Sequence, residues 1–118
     1  MNPDKIRDLV VNIIATVLDK KEDEVRHNIG VVVGHQPLRR SANVTLEYRV
    51  ADYDTKVDEV IVRHHRSVRR VFSFGDADFS LSENEFVAKH LQSEVRTLAA
   101  GISKESEVWK SGSEPQPA

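Results

Sequence analysis

Val44, Leu46, Tyr48 and Val50 alternate strictly with Thr45, Glu47, Arg49 and Ala51. Successive side chains of a β-strand point to opposite faces, so this stretch specifies a strand with one buried and one wet face. Such a strand cannot stand alone. Its backbone needs neighbours to bond with, and its apolar side needs a second layer to cover it.

The cover is written at both ends of the chain. Ile6, Leu9, Val10, Ile13, Ile14, Val17 and Leu18 recur at the spacing that lines one face of a helix, from about Pro3 to Lys21. Asn2 can cap the free amides, Pro3 suits the first helical position, and Asp4 and Lys20-Lys21 lie at the positive and negative ends of the dipole. A second stripe, Phe86, Val87, His90, Leu91, Val95 and Leu98, follows Ser82 and Glu85 at capping-box spacing, with Gly101 as the expected stop.

The neighbours come from the middle of the chain. After an acidic hinge at Glu22-Asp23-Glu24, the β-branched run from Ile29 to Gly34 reads as a strand. A loop from His35 to Asn43 then carries Arg39 and Arg40 at its tip, and Val71-Phe72-Ser73-Phe74 reads as a short strand. Thr55 to Arg70 fits two templates. Val57, Val60, Ile61, His64, Val68 and Val71 make a helical stripe, whereas Val60, Val62, His64, Val68, Phe72 and Phe74 share one strand face. We favour a strand over Val57 to His65, with a turn at Asp52-Tyr53-Asp54, because a hairpin partner satisfies the edge at Val44 to Val50.

The fold expected is therefore a two-layer α+β sandwich, with N- and C-terminal helices on one face of a three- to four-stranded, mainly antiparallel sheet. Residues 1–102 form one such domain, and residues 103–118 form a flexible polar tail from which only Trp109 stands out. The αβββα order resembles the layout of double-stranded-RNA-binding domains, which read RNA with a lysine cluster opening their second helix; Ser82-Glu83-Asn84-Glu85 stands at that place here.

Composition narrows function mainly by exclusion. Without cysteine there is no disulfide framework and no thiolate metal site, which fits a reducing, cytoplasmic compartment. No apolar run approaches the roughly 18 residues of a membrane span, and no export signal is visible. The five histidines are spread over separate elements or are strand neighbours, so neither a metal nor another cofactor is expected. Asp76 to Ser82 resembles the opening of a calcium loop, but Leu81 and Val87 replace its turn glycine and bidentate glutamate. No nucleophile motif occurs, and no enzymatic activity is expected.

The one concentrated feature is Arg63-His64-His65-Arg66-Ser67-Val68-Arg69-Arg70, which contains no acid although the whole chain has a net charge of −2. Guanidinium groups recognise carboxylate and phosphate bidentately. Arg39, Arg40, Arg63, His65, Arg66, Arg69 and Arg70 are thus the candidate binding residues of a small interaction module that engages a protein partner or a second copy of itself. The alternative is a nucleic-acid-binding accessory protein contacting phosphates with the same arginines. Strand alternation would put Arg63, His65 and Arg69 opposite His64, Arg66 and Arg70, so one patch would require Arg39, Arg40 or Arg49 to join one of the sets.

Overall fold

The computed structural model describes residues 2–110, with side chains as far as residue 107. It is an α+β sandwich built on a three-stranded antiparallel sheet of order β1-β2-β3: β1 is Ile29–Gln36, β2 Ser41–Val57 and β3 Val60–Gly75. Helices α1 (Pro3–Leu18) and α4 (Gln92–Lys110) cover one face. Between them α2 (Glu22–Asn28) leads into β1, and α3 (Glu83–Phe86) runs through a π-turn at Val87–Leu91 directly into α4.

α1 begins as its sequence dictates. The Asn2 side chain accepts the Lys5 amide at 2.8 Å and Pro3 occupies the first turn. It ends earlier than expected, because Asp19 takes a left-handed conformation (φ 52°) and leaves Lys20 and Lys21 outside the helix. Glu22-Asp23-Glu24 is no hinge: these acids form the first turn of α2, where the dipole favours them, and Val25 anchors that helix in the core.

The core joins Ile6, Val10, Val11 and Ile14 of α1 to Val95, Leu98, Ala99 and Ile102 of α4 over Ala42, Val44, Leu46 and Tyr48 of β2. Phe74 closes one end, with the Phe86 ring edge-on at 5.0 Å and the His90 ring at 5.2 Å. The π-turn lies where Phe86 and His90 both face Phe74. Gly101 does not stop the last helix. It lies so close to β3 that a Cβ built on it would stand 2.9 Å from Val68 Cγ1, so its small size serves packing, and the helix passes through it to Lys110. Residues 103–110 of the expected tail are therefore helical, while 111–118 lie outside the described residues.

The middle of the chain is strand throughout. Asp52-Tyr53-Asp54 belongs to β2, and the hairpin turns later, at Asp58-Glu59, both with positive φ as in a two-residue type I′ turn. β1 pairs β2 only as far as Tyr48, so beyond it β2 and β3 continue as a bare two-stranded ribbon. A β-bulge at Val50 marks the transition. The extra residue reverses the parity of β2, so that Tyr53 pairs with His64 and Thr55 with Val62 on the face that Val44 and Leu46 occupy farther back. No fourth strand occurs among the described residues.

Candidate functional site

β3 carries the arginine run on its 16 residues, and the pleat divides it. Toward the helices point His64, Arg66 and Arg70, in line with Val68, Phe72 and the buried Phe74. Away from them point Arg63, His65 and Arg69, in line with Ile61, Ser67, Val71 and Ser73.

The inward arginines are engaged with α4 and the inward histidine with β2. Arg66 Nε donates to Glu105 Oε2 at 3.0 Å, and Arg70 Nε donates to Glu94 Oε2. His64 Nε2 contacts Thr55 Oγ1 at 2.8 Å and its ring stacks on Tyr53 with centroids 4.9 Å apart. These side chains tie the last helix and the ribbon to the sheet.

The outward set lies on a face that no helix covers among the described residues. His65 Nδ1 meets Asp52 Oδ1 at 2.6 Å, and Arg49 Nε is 3.8 Å from the same oxygen. The hydrogen bond from His65, aided by the charges of Arg49 and Arg63, holds the Asp52 carboxyl below its usual range. Arg63 Nε donates to Asp54 Oδ1 at 3.1 Å, and that partner raises the guanidinium pKa further. Arg69 stands opposite Glu47 in the register but makes no ion pair among the described residues. Next to the Glu47 and Arg69 row, on the side away from Arg63, the face carries exposed Val32 (65 % accessible) and Val71, flanking Thr45.

Arg39 and Arg40 lie elsewhere, at the 3₁₀ turn joining β1 to β2, with Arg40 in a left-handed conformation. Counting strand residues from Ser41 to Asp54, the partner of Arg63, puts roughly 40 Å between the two ends of the ladder. The seven candidate residues therefore do not form one patch. Arg63, His65 and Arg69 share a face, Arg66 and Arg70 lie on the other, and Arg39 and Arg40 sit at the far end.

Two features went unread in the sequence. The first is the length of the free edge: β3 bonds to β2 along one side, and no strand pairs with its other side among the described residues. The second is the ribbon tip, where Val57, Val60, Ile61 (70 % accessible) and Val62 are exposed around an acidic turn. The alternation beyond residue 57 could have revealed both, had the turn been placed correctly.

Several other titratable groups are paired within the chain. His35 Nε2 bonds Asp76 at 2.7 Å, and Asp78 takes His90 Nε2 at 2.7 Å and Lys89 Nζ at 3.1 Å, bonds that hold its carboxyl below the usual range. The aspartates resembling a calcium loop are thus bound to side chains of this chain. No three histidine or carboxylate side chains among the described residues converge as a metal site. A cleft of about 850 Å³ lies open between Leu18, Lys20, Val50 and Ile102. No described helix is long and apolar enough to cross a membrane. No protein-family model, curated protein or solved structure matches the chain.

Proposed function

We propose that this protein is a non-enzymatic interaction module, acting in the cytoplasm, that docks a protein partner on the outer sheet face and along the open edge of β3. The observation that carries this reading is the edge itself. An unpaired row of amides and carbonyls along a 16-residue strand, beside exposed Val71 and Ile61, is a ready template for another chain. Edges this long are ordinarily shortened, bulged or covered. The bulge here lies in the central strand β2 and leaves the β3 edge continuous.

The nucleic-acid alternative draws less support from the geometry. Arg63, Arg66 and Arg70 each have a carboxylate partner, and the arginines that would contact phosphates are split between two faces. A second copy of the chain is the other protein partner to be distinguished.

The test is selection of a random peptide library on the immobilised full chain, followed by amide hydrogen exchange of the complex. Enriched peptides that slow exchange along β3 support the proposal. Failure to enrich any sequence, or protection confined to other elements, refutes it. Light scattering at high concentration reports separately whether the chain assembles with itself.

A further inference from the structure

The edge of β3 is selective by charge as well as open. On the outer face a strand laid beside β3 would meet, in order, Ile61, Arg63, His65, Ser67, Arg69 and Val71, a row without an acid. The acids of β2, Glu47, Asp52 and Asp54, would be one strand farther, roughly 10 Å away against roughly 5 Å for the β3 side chains. Arg69 has no ion-pair partner among the described residues. His65 already meets Asp52 Oδ1 at 2.6 Å, and Arg63 bonds Asp54 through Nε, which leaves the two Nη groups of Arg63 to bind another carboxylate.

The inner face has the opposite character. There Glu94 and Glu105 already neutralise Arg70 and Arg66, and the neighbouring β3 side chains are Val62, Val68 and Phe72. Carboxylates arriving on that side would confront those glutamates, whereas small or apolar side chains would extend the existing contacts. A second copy is disfavoured as the occupant, because antiparallel pairing of two β3 strands sets one cationic row against the other.

We propose that β3 accepts an extended acidic polypeptide strand, its carboxylates on the uncovered face beside Arg63 and Arg69 and its small or apolar side chains on the helix face. This deepens the edge-docking reading and rests on it. Main-chain bonds to β3 supply attraction common to any strand, and the outer row selects the acidic one.

The experiment uses the full chain and three fluorescent synthetic peptides, compared by anisotropy: one alternating glutamate with threonine and valine, the same peptide with lysine for glutamate, and the glutamate peptide with a central proline. Two favourable cross-strand charge pairs, at Arg63 and Arg69, each replaced by a like-charge pair in the lysine peptide, predict about tenfold tighter binding of the glutamate peptide than of its lysine counterpart. The proline peptide keeps its charge but loses strand pairing, and should bind at least about tenfold more weakly. Arg69→Glu, at an exposed side chain with no ion pair to lose among the described residues, should abolish the preference while leaving the circular dichroism unchanged. Equal binding of the glutamate and lysine peptides overturns the charge selection and leaves edge docking standing. Proline-insensitive binding shows charge attraction without strand addition and overturns the proposal, as does absence of binding by the glutamate peptide. Displacement of that peptide by an oligonucleotide with no protection of β3 amides assigns the surface to nucleic acid instead.

Discussion

Gly101 gives the most direct test of how tightly α4 is seated. Alanine there would place its methyl 2.9 Å from Val68 Cγ1, whereas carbon atoms in contact prefer about 3.5–4.0 Å. Val68 is β-branched and restricted at χ1, so it cannot swing aside freely, and the helix or the strand must yield by several tenths of an ångström. Overpacking of this kind costs about 1–3 kcal/mol, while Gly→Ala within a helix returns about 1 kcal/mol. The net effect is a loss of about 0–2 kcal/mol, and its smaller values would be hard to interpret from one variant. A double-mutant cycle removes that difficulty. With Val68→Ala in place the clash is gone, so Gly101→Ala should stabilise by about 1 kcal/mol, giving a coupling of about 1–3 kcal/mol. Urea titrations followed by far-ultraviolet circular dichroism at unchanged m-value measure all four proteins. Stabilisation by about 1 kcal/mol in both backgrounds would refute the close approach of helix and strand.

Three further outcomes follow from the ion pairs and the hairpin turn. Arg70→Ala strips Glu94 of its half-buried partner and should cost about 1 kcal/mol in urea unfolding, whereas Arg69→Ala should stay within about 0.5 kcal/mol. Equal losses at both positions would show that the two faces do not differ as described. Asp78 is held below its ordinary value of 3.8 by His90 and Lys89, so the stability it contributes is complete above that value and is lost as the pH falls through the lower folded value. Asp78→Asn should consequently be less stable at neutral pH and show a shallower acid limb in stability measured against pH; a parallel curve would contradict this linkage. Asp58 and Glu59 both adopt positive φ, which costs about 1–2 kcal/mol at an ordinary residue, so Glu59→Gly should slow amide exchange in the ribbon from Thr55 to Val62. Faster exchange would show that the glycine loosens this turn instead of relieving it.

The architecture was legible wherever periodicity and end signals agreed. Asn2, Pro3 and the stripe from Ile6 defined α1, and Ser82 with Glu85 opened α3, because each of those signals acts locally. The errors arose where tertiary contact decided. Gly101 looked like a stop, since the sequence does not show that Val68 needs the space a side chain would fill. The hairpin turn was expected at Asp52-Tyr53-Asp54, which has good turn composition, yet its place at Asp58-Glu59 is set by the pairing of Val57 with Val60 and of the whole ribbon behind them. The bulge at Val50 had no visible marker either, and it turns over the face of every β2 residue beyond it. For the candidate site, alternation correctly separated Arg63, His65 and Arg69 from Arg66 and Arg70. The partners of the inward arginines, Glu94 and Glu105, lie 24 and 39 residues away and could not be assigned from spacing.

That division gives the arginine run a physical sense that a single patch would not. A long free edge is a hazard, because an identical edge on another molecule matches it in length and hydrogen-bonding pattern. β3 contains no proline, and its Gly75 lies only at the end, so neither residue interrupts its free side. On the reading proposed above, Arg63 and Arg69 on its outer face oppose self-pairing, through the repulsion that two such rows would feel across a shared ladder. Neutralising Arg63 and Arg69 together, as Arg63→Thr/Arg69→Thr, should leave the core intact while raising self-association at high protein concentration, read by light scattering. A double variant that self-associates no more than the parent chain would show that those charges do not guard the edge, and the selectivity proposed for it would lose its physical basis.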